Sequence, residues 1–162
     1  MIDVNWLDEV FNKFAPLQNY ELQVSGATDR INYYVSTGYY DQQGTVSDSD
    51  FTRYNVRLNL EAQANRWLKI GTNTMLAYEG IRESVSGGYY TNTPISAARF
   101  MMPYWDPHKV DGSLASLSDG SWKGTGENPL EWTENNPYFV KKYKVITGLY
   151  LEVNPFAGFT VK

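Results

Sequence analysis

Cysteine is absent from the 162 residues, which excludes a disulfide framework and a thiolate metal site and leaves the redox compartment open. Histidine occurs once, as His108. Its neighbours in DPHKVDGS, Asp106 and Asp111, are too few for a metal site, so a solvated loop turning at Gly112 is expected there. No apolar run approaches the roughly 20 residues of a spanning helix, which excludes a helical membrane protein but says nothing against a barrel. No basic cluster occurs either. Fourteen Lys and Arg face 18 Asp and Glu, for a net charge of -4, so no stripe of cations tracks phosphates and nucleic acid is not an expected partner. The N-terminus, MIDVNWLDEVFNKF, lacks the basic-then-apolar layout of a signal peptide, and any export signal is expected outside this chain.

Catalytic signatures are also missing. There is no G-x-S-x-G, H-E-x-x-H, P-loop or dinucleotide fingerprint. Asp8 and Glu9 are adjacent and face different ways, which suits the electrostatics of a helix start better than acid/base work. SDSD, residues 47–50, imitates half a calcium loop without its glycine and closing glutamate, and reads as a polar turn. The chain is therefore read as non-enzymatic, with no cofactor.

What is present is aromatic and alternating. Thirteen Tyr and 5 Trp bring aromatic content to 15%, while mean hydropathy is -0.47. A membrane barrel reconciles the two because only alternate residues meet lipid, and an aromatic-rich sugar-binding sandwich reconciles them as well. In RYNVRLNLEAQ, residues 53–63, Tyr54, Val56, Leu58, Leu60 and Ala62 interleave with Arg53, Asn55, Arg57, Asn59 and Glu61. Successive strand side chains point to opposite faces, so one face is hydrocarbon and the other charge and amide. The same pattern predicts strands at about 18–25, 31–40, 53–63, 67–79, 142–154 and 158–162. A short amphipathic helix is expected over 5–14, capped by Asn5, with Trp6, Val10, Phe11 and Phe14 on its stripe. From about 81 to 140 the periodicity fades into one long loop.

The connections alternate between tight turns (GATDR, QANRW, NPFAG) and longer loops (QQGTVSDSD and the large one), as at the two rims of a barrel wall. The predicted strands exceed the ~5 or 6 residues usual in globular sheets and suit the ~9 to 11 needed to cross a bilayer tilted. Tyr54 and Tyr78 lie toward the long-loop ends and Trp67 at a tight-turn end, where an amphipathic ring gains most at the headgroup level. In that architecture Val56, Leu58, Leu60, Leu76, Leu149 and Leu151 face lipid, and Arg53, Arg57, Glu61, Lys69 and Glu152 face the lumen. Tyr104, Trp105, Trp122, Trp132 and Tyr138 in the large loop could stack on a sugar or a partner, or could pack the loop against itself.

In the order and spacing of these segments the chain resembles the SusC/RagA family of TonB-dependent outer-membrane transporters. The resemblance is carried in order by NWLDEVFNKFAPLQNYELQVSGATDRINYYVSTGYYDQQGTV, SDFTRYNVRLNLEAQANRWLKIGTNTMLAYE, KVDGS and ENPL in the large loop, and GLYLEVNPFAGFTVK. It implies an all-β antiparallel meander of about six long strands, an early segment of a 22-stranded barrel, with the plug domain absent from this chain. It further implies an outer-membrane location, outer-membrane lipid around the wall, a SusD-like surface lipoprotein, energy from the TonB complex through a missing N-terminal part, and an oligosaccharide or peptide substrate. The competing expectations are a secreted carbohydrate-binding β-sandwich and a structural surface β-protein.

Overall fold

Alternation of apolar and polar side chains is the template for a strand with two unlike faces, and the chain follows it over long stretches. The computed structural model describes residues 2–83 and 93–162. In chain order the elements are α1 (Trp6–Val10), β1 (Leu17–Ala27), β2 (Ile31–Gln43), β3 (Asp50–Asn65), β4 (Leu68–Glu83), α2 (Pro94–Phe100), α3 (Pro129–Asn135), β5 (Tyr138–Phe156) and β6 (Phe159–Val161). The strands form one six-stranded sheet in the order β1-β2-β3-β4-β5-β6, an antiparallel meander. β3 and β4 have 16 residues each and β5 has 19, longer than the alternation alone suggested, because backbone pairing continues where the side-chain pattern lapses. No helix among the described residues is long and apolar enough to cross a membrane, which says nothing about strands.

Two compact units make up the chain. The sheet unit comprises Gln18–Asp41, Thr52–Gly80 and Lys141–Lys162. Its tight turns are fixed locally. The Thr28 hydroxyl accepts from the Arg30 and Ile31 amides, the Asn65 carboxamide accepts from the Trp67 amide, and Gly158 takes φ +84 in the turn between β5 and β6, a conformation other residues adopt only with strain.

The second unit, here the loop unit, comprises the described residues of Met1–Leu17, Gln42–Phe51 and Ile81–Val140. It contains the hydrophobic core: Trp6, Val10, Ala97, Met101, Ala115 and Trp122, with Val4, Phe11, Ala98, Trp105 and Leu130 packed against it. The helix expected over 5–14 ends at Val10. Asn5 caps it by accepting from the Leu7 amide, but Phe11 turns extended and bridges Val46, while the Asn12 amide donates to the Thr45 carbonyl. Pairing with 45–46 thus takes over from helical bonding, and Phe14 is left 79% exposed. The expected featureless loop also holds two helices, each with an Asn or Thr cap followed by proline. Thr93 precedes Pro94 in α2 and Asn128 precedes Pro129 in α3, the arrangement in which an N-cap accepts an orphan amide and proline occupies the first turn without losing a bond. Residues 84–92 of that expected loop lie outside the described residues.

Candidate functional site: two sheet faces and a loop cavity

The two faces of the sheet unit are chemically distinct. On one face five tyrosines from five consecutive strands form a continuous row. Ring centroids are 6.4 Å apart for Tyr20 and Tyr39, 5.0 Å for Tyr39 and Tyr54, 6.3 Å for Tyr54 and Tyr78, and 5.1 Å for Tyr78 and Tyr143, all within the favourable range for aromatic pairs. The same face carries Val56, Leu58, Leu76 and Leu149, exposed by 43%, 36%, 45% and 81%, and Leu151, exposed by 56%. Leu60 is half-buried. These side chains are not covered by a second sheet layer among the described residues, which removes the packing a β-sandwich requires.

The opposite face is a polar network. The Arg53 guanidinium lies 5.4 Å over the Tyr40 ring. The Tyr150 hydroxyl donates to the Glu61 carboxylate, Lys69 pairs with Glu152 at 3.8 Å, and the Lys162 ammonium sits 4.3 Å from the Tyr150 ring centroid. Glu61, Lys69 and Glu152 are thereby gathered around Tyr150, while Arg57 shares their face by strand parity and is exposed. Alternation alone gives Tyr150 only a face and no partner. Its ring occupies the space a Cβ at position 71 would need, so Gly71 on β4 allows the neighbouring aromatic to lie flat, and an aromatic placed across from a strand glycine is the signal that could have found it.

The five loop aromatics do not share one role. Trp122 is 3% exposed, stands edge-on to Trp6 at 6.1 Å and to Trp105 at 6.4 Å, and donates its indole N–H to the Gly126 carbonyl. It is a core side chain, so for Trp122 the second of the two expectations, packing of the loop against itself, is the one the geometry supports. Trp105 and Trp132 are half-buried, and the Trp132 indole nitrogen is shielded from solvent without a hydrogen-bond partner. Tyr104 and Tyr138 remain open, at 60% and 53% exposure.

Within the loop unit a cavity of about 640 Å³ is lined by Tyr104, Asp106, His108, Lys109, Asp111 and Lys123 among others. A tight turn builds its wall: His108 bridges Leu114, the Lys109 amide donates to the Ser113 carbonyl, and Gly112 takes φ +86. Its charges are individually neutralised or anchored. Lys109 donates to Asp119 at 2.6 Å, and Lys123 donates to the Gly120 carbonyl at 2.5 Å. Asp111 accepts from the Ser113 amide and hydroxyl, and Asp106 accepts from the His108 amide. The bond from Lys109 holds the Asp119 carboxyl well below the usual carboxylate range, the same bond raises the Lys109 ammonium, and the Ser113 bonds lower Asp111. Among the described residues no group of three or more His, Asp or Glu side chains is placed to hold a metal ion.

No family model matches the chain. In sequence it is 27% identical to TonB-dependent receptor P3 of Formosa agariphila over 123 residues, 72% of this chain, and 31% identical to TonB-dependent receptor P26 of the same organism over 74 residues, 46% of this chain. In structure it superposes on the RagAB peptide importer in the closed-closed state with TM-score 0.76 and 28% identity, covering 98% of this chain and 18% of that one. The chain is similar to TonB-dependent receptors of the SusC/RagA type. The open-open state of the same importer gives TM-score 0.75 at 30% identity over the same share of the chain. The six-stranded meander matches a segment of a TonB-dependent receptor barrel. The matches span 12% and 7% of the two Formosa receptors, so most of the length of each of these TonB-dependent receptors lies beyond what this chain matches.

Proposed function

We propose that this chain is a stretch of outer-membrane barrel wall, with its extracellular loops, from an energised importer of the SusC/RagA kind. The tyrosine-bearing face turns to lipid, with Val56, Leu58, Leu60, Leu76, Leu149 and Leu151 against acyl chains. The face carrying Arg53, Arg57, Glu61, Lys69 and Glu152 turns to the lumen, where water or a plug domain solvates charge. The intact importer takes up glycans or peptides captured with a SusD-like surface lipoprotein, and TonB supplies the energy. The chain contributes wall and recognition surface and carries out no covalent chemistry.

One observation supports this reading above the others: the apolar face is exposed across five strands and crossed by a tyrosine row, while the packed hydrophobic cluster around Trp6, Val10 and Trp122 belongs to the loop unit. A water-facing sheet gains nothing from such a face, whereas a lipid-facing one gains both from acyl contact and from rings at the headgroup level. The test is co-flotation of the refolded chain with phosphatidylcholine vesicles. The native chain floats with lipid, Leu58→Arg combined with Leu149→Arg shifts it toward the pellet, and Arg57→Leu does not. A chain that stays compact, monomeric and lipid-free without detergent contradicts the proposal.

A further inference from the structure

We infer that the tyrosine face, where β4 and β5 run out beyond Tyr78 and Tyr143, seats the phosphate of a phospholipid of net negative charge, with Lys141 as its cation. This deepens the barrel-wall reading and rests on it. Charge is scarce on that face. Side-chain parity on the strands of the sheet unit leaves Asp41 and Lys141 as its only charged residues, because successive side chains alternate between faces. Each stands two residues beyond a member of the tyrosine row, Asp41 after Tyr39 and Lys141 before Tyr143, at the strand ends away from the tight turns. Their surroundings differ. The Asp41 carboxylate accepts from the Tyr39 hydroxyl at 2.8 Å and from the Thr52 hydroxyl at 3.4 Å. Lys141 is exposed and has no ion pair among the described residues.

The strand register makes room around the lysine. The offset that sets Tyr78 beside Tyr143, and Thr74 beside Thr147 with their hydroxyls 2.8 Å apart, also sets Gly80 beside Lys141. A Cβ at position 80 would lie 3.5 Å from the Tyr78 hydroxyl oxygen, so the phenol reaches over the glycine toward the level of Lys141. The Tyr78 and Tyr143 hydroxyls make no hydrogen bond among the described residues. Two phenolic donors thus stand beside one uncompensated ammonium, a set that suits an anion with several acceptor oxygens. The adjoining hydrocarbon makes that anion a lipid's. Toward the tight turns the same two strands carry Leu76, Val145 and Leu149, exposed by 45%, 69% and 81%, so a molecule held by its phosphate at Lys141 lays its acyl chains along them. The lysine stem covers apolar surface while its head stays at the headgroup level. Asp41 repels the same headgroup and confines the site to β4 and β5.

The experiment is flotation of the refolded chain with two sets of vesicles, phosphatidylcholine alone and phosphatidylcholine mixed with phosphatidylglycerol, read as the ratio of the two partition coefficients. The native chain prefers the mixed vesicles. Lys141→Gln lowers the ratio about fivefold, the effect of one basic residue at an anionic surface. Lys141→Arg keeps it, and Tyr78→Phe lowers it without changing partition onto phosphatidylcholine. Lys142→Gln, on the opposite face, leaves it unchanged. Equal losses in Lys141→Gln and Lys142→Gln mark diffuse attraction to surface charge and overturn the inference, as does equal partition of the native chain onto the two sets. Saturable binding of inorganic phosphate in neutral micelles, abolished by Lys141→Gln, assigns the donors to free phosphate and overturns it too. Flotation on phosphatidylcholine separates this site from the wall: a chain that floats on both sets without preference loses only the headgroup site, whereas one that floats on neither loses the wall and the site with it.

Discussion

At the level of single residues, the same residue type serves opposite ends. Trp122 and Tyr104 lie in one aromatic-rich connection, yet one is sealed in a core and the other open to solvent. Trp122→Ala removes a fully packed ring from a core of few members, for which a loss of about 3–5 kcal/mol is expected. Tyr104→Ala changes an exposed side chain and is expected to cost under about 1 kcal/mol. Chemical denaturation of the loop unit, followed by near-ultraviolet dichroism, compares them, and equal losses would refute the distinction. The pair Lys109 and Asp119 predicts a pH dependence. A carboxyl held below its ordinary range contributes stability above that range and loses it as pH falls through its native value. Lys109, raised, contributes fully below the ordinary lysine range and loses its part only as pH rises beyond it. The loop unit is therefore expected to be level through neutrality and to weaken in strong acid, with Asp119→Asn flattening the acid limb of the unfolding midpoint. An unchanged acid limb in that variant would contradict the pairing.

Elements show where sequence was informative and where it was not. Alternation in 53–63 and 67–79 is enough to place β3 and β4 and to assign parity to every side chain on them, because a period of two admits only two faces. It could not bring Tyr20, Tyr39, Tyr54, Tyr78 and Tyr143 into one row, since that depends on the register between strands. The end of α1 was illegible for a related reason: Phe14 continues the helical stripe, and only the pairing of Phe11 with Val46 shows why the stripe is abandoned. The helices inside the large connection were readable in principle from Thr93-Pro94 and Asn128-Pro129, but flanking glycine and serine obscured them. Asn128 is the strongest local determinant there. Fully buried, it donates to the Pro107 and Ala115 carbonyls and accepts from the Leu130 amide. Asn128→Ala leaves several buried groups without partners and is expected to cost on the order of 3 kcal/mol. On the sheet, Gly71→Ala intrudes on the Tyr150 ring and is expected to separate its hydroxyl from Glu61, readable as a changed Tyr150 resonance in the spectrum of the micelle-bound chain. An unchanged resonance would contradict the packing of that ring on Gly71.

For the whole molecule, the two units place their apolar surface in opposite ways. The loop unit turns Trp6, Val10 and Trp122 inward and has a core of its own. The sheet unit exposes its hydrocarbon on one face and pairs Lys69 with Glu152 on the other, the distribution that the proposed wall requires. The open-open and closed-closed RagAB importers match the chain almost equally, with TM-scores of 0.75 and 0.76. Absence of cysteine makes the decisive test direct. Single cysteines introduced at successive positions from 53 to 63 in the vesicle-bound chain, each carrying a nitroxide, report collision with oxygen, which concentrates in acyl chains, and with a water-soluble nickel chelate. A lipid-facing apolar side gives a two-residue oscillation in which 54, 56, 58, 60 and 62 favour oxygen and 53, 55, 57, 59, 61 and 63 favour nickel. An inverted phase, or no oscillation at all, would contradict it.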